Sequence, residues 1–548
     1  MKKACLLSLP LAIALACSGQ PAPSQTVNSG ATISSVRSAS FPQRGAIPQY
    51  NPLVPDNIAD PSIVLFKDTF YLYATTDIDK DLKVAGPPVV WKSTDFVNWH
   101  FDGILQTGID WSRPYAYTNA KGQPATGYFR FWAPGKVIEK NDRYYLFVTI
   151  VSPDNKERGY EMIADKPEGP FFFTNGDGFF FNEPGKAAEE TRPLLPDIDG
   201  EPFVDDDGST YIYWRRRHAA ALTDDLLHLR ADTISISTSR SGYSEGPGLF
   251  KRGDLYYYFY TLSGYASYCN AYMIGRKSPL GPFETPAGKN VFIFSDTAAG
   301  VWGPGHGNVF HMPGTDGYIF VYLEYGEGST TRQVFANRMH FNPDGTLQPV
   351  RVDKLGVGYL GQYKRIVKTN LALTARVTAS SYRQPRVVNA KIDPDPDLVA
   401  QAKDTAGASP AGKEATTAVS AGVSPSPAES LQSAKVTRTF TYIPENAADG
   451  SNGTRWWADE SDTHPWIQFD LGKTTQVGSC EMAFIFPTFG HAWQLEKSLD
   501  GKKWTVCAAT TEPRICSPHV ATRIGKARYL RVSILKGTPG LWECRIYP

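Results

Sequence analysis

The chain has 548 residues, enough that more than one domain is expected. Lys and Arg number 56 against 55 Asp and Glu, a balance that gives no support to nucleic acid or an anionic membrane surface as partner. Aromatics at 13% with 48 Gly and 41 Pro fit a chain built of strands and turns.

Residues 1–17 read as an export signal: Lys2 and Lys3 open it, and the apolar run Leu6 to Leu15 is too short to span a bilayer. Ala14-Leu15-Ala16-Cys17 resembles a bacterial lipobox, which implies a mature chain lipidated at Cys17. Ala14 stands where the usual box has Leu, so cleavage without lipid stays open. Residues 18–45, rich in Ser, Pro, Gln and Thr, form a tether. The expected location is exported, held to the outer membrane or facing the periplasm through the lipid alone.

Residues 46–365 carry a repeated hairpin. Ile58 to Phe66 meets the turn Lys67-Asp68-Thr69, and the aromatic run Phe70 to Thr75 follows. The same unit recurs from Trp132 to Val148, Asp199 to Trp214, Glu245 to Tyr260 and His306 to Tyr322, at intervals of about 45–75 residues. Hairpin repeats with no helical pattern between them predict an all-β, five-bladed β-propeller.

Eight positions before each turn residue stand Asp60, Pro134, Asp199, Glu245 and His306. Side chains alternate with a period of two, so an even offset keeps one face if the strand is regular. First strands of blades face the channel, so three carboxylates and a histidine would converge there. Acids near Gly and Pro are often plain turn residues. Three mutually repelling acids in one register point instead to general acid and base work on a glycosidic bond. A water-activating pair stands roughly 6.5–9.5 Å apart and inverts the anomeric centre. No phosphate-binding glycine loop, basic clamp or serine triad is apparent.

Ala59-Asp60-Pro61, Trp132-Ala-Pro, the Asp199 strand, Glu245-Gly-Pro and Gly305-His306-Gly resemble glycoside hydrolase family 43. The resemblance implies an inverting enzyme with Asp60 as general base, Asp199 as modulator and orienter, and Glu245 as general acid; exo action is expected, with endo action left open by the sequence. It implies that His306 orders the channel centre, often beside calcium or another cation. Gly200 departs from the Pro that many members carry after the modulator. Trp132 is expected as a sugar-facing wall, with plain packing as the alternative. Arg332 is expected as a substrate arginine, with a solvated surface arginine as the alternative. The expected substrate is a plant oligosaccharide or polysaccharide side chain ending in α-L-arabinofuranose. β-Xylosidase, β-galactofuranosidase and a non-catalytic sugar-binding protein are the rivals.

Residues 366–548 change pattern, with an Ala, Ser, Pro and Gly-rich insertion at about 393–435. Alternation at Trp466 to Leu471 and Arg528 to Val532 predicts a β-sandwich. Asn370-Leu-Ala-Leu, Ala448-Asp-Gly, Thr454-Arg-Trp, Ser498-Leu-Asp-Gly and Leu541-Trp-Glu resemble the discoidin, or coagulation-factor type C, jelly-roll sandwich. That resemblance implies a structural calcium at Asp449, Asn452, Thr454 and Glu543, oxygen donors of the type calcium takes, with metal-free turn residues as the alternative. No organic cofactor is implied, and a monomer is expected. Cys480, Cys507, Cys516 and Cys544 allow three disulfide pairings, and the sequence does not choose between them.

Overall fold

The computed structural model describes residues 48–78, 85–174, 192–287, 290–328, 330–360, 368–399 and 432–548. The expected export signal with Cys17, the tether, and residues 400–431 of the expected insertion lie outside the described residues.

Five antiparallel sheets among the described residues form the blades. Blade one runs through Ile58–Phe66, Thr69–Thr76 and Val90–Ser93. In blade two, Arg130–Trp132 and Ile138–Lys140 share the inner place beside Arg143–Val151. Blade three begins with Glu201–Val204 and Thr210–Trp214, blade four with Gly248–Arg252 and Leu255–Ser263. Blade five comprises Gly305–His311, Tyr318–Glu324 and Gln333–Met339.

The second strands are aromatic because a blade is covered on both faces by its neighbours. Their rings meet across the blade boundaries. Phe66 packs on Tyr144 at 5.0 Å, Tyr213 on Tyr258 at 5.9 Å, Phe259 on Phe320 at 5.8 Å and Phe70 on Phe310 at 5.7 Å. Blades two and three share a cluster of Phe147, Ile212 and Trp214. The circle is tied where the start of the chain meets the outer strand of blade five: the Leu53 N–H donates to the Val334 carbonyl at 2.8 Å.

The C-terminal region is a curled antiparallel sheet. Two long strands, Trp466–Phe484 and His519–Lys536, pair along most of their length with register shifts, and the first also pairs with Arg376–Ala379 and Gly540–Tyr547. Its buried core includes Trp456, Phe469, Met482, Leu530 and Ile546. The edge strand Cys516–Ser517 pairs with Phe101–Asp102 of the propeller, so backbone hydrogen bonds cross between the two regions.

One stretch differs from expectation. The first residues of the expected insertion are anchored: Asp397, 2% exposed, accepts from the Val291 N–H at 3.0 Å and pairs with Arg240. Strands Arg386–Ile392 and Ala434–Phe440 pair as a hairpin on either side of the insertion. The five described cysteines are free, with the Cys480 and Cys544 sulfurs 3.5 Å apart.

Candidate active site

Local backbone, rather than strict strand alternation, aims the acids. Asp60 has φ 52° and Asp199 φ 66°, both left-handed, and the blade-one register shifts between Ala59 and Ser62. Aspartate tolerates this region better than most residues. Blade two carries Ala133 at φ 40° in the corresponding stretch, and blade four carries Gly246 at φ 49°. A Cβ on Gly246 would stand 2.6 Å from the His306 ring, so the close approach of blades four and five needs glycine there.

Threonines ending three second strands hold these kinks. The Thr75 hydroxyl donates to Asp60 Oδ2 at 2.7 Å and accepts from the Ala133 N–H at 2.8 Å. Thr149 accepts from the Asp199 N–H at 3.0 Å, and Thr261 from the Glu245 N–H at 2.7 Å. The aromatic run ending in Thr is visible in the repeat itself, a signal that marks these hydroxyls.

The histidine and the three acids gather at one end of the channel. His306 Nδ1 lies 3.4 Å from Asp60 Oδ1 and 4.0 Å from Asp199 Oδ2. Asp199 Oδ2 also accepts the Gly246 N–H at 3.0 Å, which ties it to the residue after Glu245. Glu245 accepts from two phenols, Tyr268 on Oε1 and Tyr243 on Oε2. Tyr243 stands two residues before Glu245, a spacing that could have revealed it. Tyr268 arrives from the next loop and left no such trace.

The electrostatics separate the acids. Burial pushes Asp60 up, but the Arg332 and His306 charges outweigh it and hold the carboxyl below its ordinary value. Asp199 is pushed up to about 7, by burial first and then by Glu245 and Asp60, against the pull of His306. His306 is raised overall: burial opposes its charge, and Asp199, Asp60 and Glu245 together favour it. Burial, then the Glu245 charge, keeps both phenols protonated and so able to donate. One carboxyl held below its ordinary value beside another held well above it is the kind of separation that general acid–base catalysis needs.

Arg332 is held between two carboxylates of the chain rather than solvated at the surface. Its Nη1 and Nη2 donate to Asp60 at 3.0 and 3.3 Å, while Nε and Nη2 donate to Asp77 at 2.8 and 2.9 Å. Most of the guanidinium is therefore engaged by carboxylates of the chain, and Arg332 fixes the position of Asp60. Asp77 went unread because it is linked to Arg332 only through the fold. Trp132 is half-buried, with the Arg130 guanidinium 5.0 Å over its ring.

Deeper in the channel, Lys136 of blade two reaches the Val309 carbonyl of blade five at 3.3 Å. Glu201, two residues after Asp199, accepts from the Lys136 N–H at 3.0 Å and from Asn308 at 2.6 Å. At the cation site expected beside His306, Nδ1 of the ring is turned to Asp60 and Asp199.

The sandwich residues expected at calcium are more mixed. Asp449 Oδ2 accepts from the Thr454 hydroxyl at 2.7 Å. Glu543 is 1% exposed, and neither of its carboxylate oxygens has a well-formed hydrogen bond; Gly450 and Asp449 N–H groups approach it only weakly. Burial, with the Asp449 charge adding to it, pushes this carboxyl well up. An orphaned buried carboxylate beside a second acid and a hydroxyl fits an oxygen-seeking cation. Asn452 does not join them: its amide donates to the Pro52 and Leu53 carbonyls and accepts from Arg545. Among the described residues no group of three or more His, Cys, Asp or Glu could hold a metal ion.

Comparison with known proteins identifies the family of each region. The family model for glycosyl hydrolases family 43 matches residues 49–347, and that for the F5/8 type C domain matches 429–545. A solved glycoside hydrolase is 39% identical, with a TM-score of 0.72 over 90% of this chain and 98% of that one. A β-D-galactofuranosidase of Aspergillus niger is 29% identical over 56% of this chain and 86% of its own. An arabinoxylan arabinofuranohydrolase of Bacillus subtilis is 25% identical over 61% and 71%. With its propeller, its gathered acids and a family model covering more than half its length, the chain belongs to glycosyl hydrolases family 43, followed by an F5/8 type C domain.

Proposed function

We propose that the protein is an inverting, exo-acting glycosidase that removes a terminal furanose, foremost α-L-arabinofuranose, from plant polysaccharide side chains. The observation carrying this reading is the meeting of Asp60, Asp199, Glu245 and His306 at one mouth of the channel. Asp60, kept ionised by Arg332, takes a proton from water as that water attacks the anomeric carbon. Glu245 gives its proton to the departing glycosidic oxygen as the bond to carbon breaks. The Tyr243 and Tyr268 hydroxyls then solvate the carboxylate left on Glu245. Asp199 orients the acid through the Gly246 N–H. Exchange with solvent reprotonates Glu245 and strips Asp60, which completes the proton balance.

A second furanose has support of its own: the Aspergillus niger relative is named a β-D-galactofuranosidase. The test is a panel of nitrophenyl α-L-arabinofuranoside, β-D-galactofuranoside and β-D-xyloside, with the anomer released followed by NMR. Fastest turnover of the arabinofuranoside with inversion supports the reading. Retention, or no release by wild type from any of the three, rejects it.

We also propose that Asp449, Thr454 and Glu543 hold a structural calcium that neutralises buried charge in the sandwich, and that the chain is exported and lipid-anchored at Cys17. Among the described residues no helix is long and apolar enough to cross a membrane.

A further inference from the structure

Arg455 belongs to the sandwich, yet its charge faces the propeller. It is 4% exposed and lies over the rings of Trp542, Trp457 and Tyr442 at 4.5, 5.1 and 5.2 Å. Its Nη2 stands 2.6 Å from Glu327 Oε1 of blade five, an ion pair set too obliquely for a hydrogen bond. The other oxygen of Glu327 accepts from Arg386 at 3.1 Å and from the Tyr442 hydroxyl at 3.0 Å. Three sandwich side chains thus grip one buried carboxylate of the propeller.

Glu327 lies in the turn that delivers Arg332. Its N–H donates to the Thr331 carbonyl at 3.2 Å, and Thr331 precedes Arg332. A Cβ on Gly326, at φ 59°, would stand 1.9 Å from the Thr331 carbonyl oxygen, so the turn is closed tightly. Beyond it, the Arg332 N–H donates to Asp77 Oδ2 at 3.1 Å and the guanidinium reaches Asp60.

A second path runs beside the first. Asp56 is 1% exposed and feels both Arg455 and Asp77. Asn57 joins the two acids: its N–H donates to Asp56 at 2.9 Å, and its carbonyl accepts from the Asp77 N–H at 2.9 Å. From the sandwich inward run Arg455, Asp56, Asp77, Arg332 and Asp60, with a cation at Arg455 and another at Arg332 set against the acids of the propeller. Opposite charges in a water-poor interior hold one another in place.

We infer that the C-terminal domain is a working part of the active site, with Arg455 and Glu327 as positioning residues for the Asp60 base. The inference rests on Asp60 being that base. Loosening the Glu327 turn lets Arg332 drift from Asp60, and a carboxylate that loses a close cation binds its proton more tightly. The reaction then fails at a higher pH on the acid side. A brace that only glued the domains together would lower stability and leave that limb where it was.

The test is the pH profile of kcat/KM in the full chain for wild type, Glu327→Gln and Arg455→Lys. Val477→Ala, a buried sandwich-core change on an uncharged residue, is the control for stability loss. In both charge variants the acid limb is expected to rise by about half a pH unit or more. In Val477→Ala it is expected to stay, although the melting temperature falls. Folded charge variants whose limb lies within about 0.2 unit of wild type would overturn the inference. Asp60→Asn, measured alongside, separates the two claims. Full activity in that variant removes the base assignment. A dead Asp60→Asn with unmoved limbs removes only the positioning role.

Discussion

Arg332 straddles two aspartates from blade one, donating to Asp60 at 3.0 Å and to Asp77 at 2.8 Å. The pairing makes Asp60 a stronger acid, so it stays ionised, and it holds the carboxylate by both oxygens. Arg332→Met should therefore lower kcat by about 100-fold and move the acid limb of the profile upward. Asp60→Asn should lose about 1,000-fold or more, with azide restoring part of the rate. Steady-state kinetics from pH 4 to 8 checks both. An Arg332→Met enzyme with normal kcat and a raised KM alone would make the arginine a substrate ligand.

Glu245 is grasped by two phenols, an arrangement that suits the anion formed once its proton has left. The consequence lies in leaving-group dependence. Glu245→Gln should lose about 1,000-fold on alkyl glycosides, whose oxygen must be protonated, and far less on a dinitrophenyl glycoside, which leaves as a stable anion. Tyr268→Phe should follow the same order with a smaller loss. Equal losses across leaving groups would deny Glu245 the role of acid.

Much of this arrangement was legible in the chain. Five aromatic hairpins announced the propeller, and the common eight-residue offset brought Asp60, Asp199, Glu245 and His306 to one mouth. The offset argument assumed regular strands, however, and the strands are not regular. It worked because a comparable left-handed kink recurs at Asp60, Ala133, Asp199 and Gly246, so the error is shared among blades. Such kinks are stabilised by contacts such as Thr149 to Asp199, which local propensity does not encode. Arg332 with Asp77, and Arg455 with Glu327, join residues far apart in the chain, and only the fold introduces them. Asp397 was hidden by a neighbourhood poor in apolar residues, although a single buried carboxylate suffices to anchor that stretch.

Asp199 offers a direct pH signature. Its carboxyl is pushed up to about 7, by burial first, with the nearby Glu245 charge adding to it. Activity that needs the proton on Asp199 should fall as pH rises through about 7, which sets the alkaline limb of the profile. Asp199→Asn removes that titrating group. That limb should then move away from about 7, and kcat should drop because an uncharged amide no longer offsets the His306 charge. An alkaline limb unchanged in Asp199→Asn would assign it to another group.

The sandwich carries its own pH sensitivity in two buried histidines. His491 stacks on Phe484, and His519 accepts the Trp493 indole N–H at 2.8 Å. Burial is the main cause of their lowered values, about 4 for His491 and about 3 for His519, with mutual repulsion adding to the second. The unfolded chain protonates each near pH 6.5. Between that value and the folded ones the unfolded state binds more protons, so stability is complete above about pH 6.5 and falls as pH drops. Each histidine costs about 1.4 kcal/mol per pH unit across that window. Scanning calorimetry from pH 7.5 to 4.5 should show the sandwich transition sliding to lower temperature. His519→Gln should flatten that slope even if it lowers the transition at pH 7.5, because one titrating group is gone. A slope unaltered by the substitution would place the acid sensitivity of the domain elsewhere.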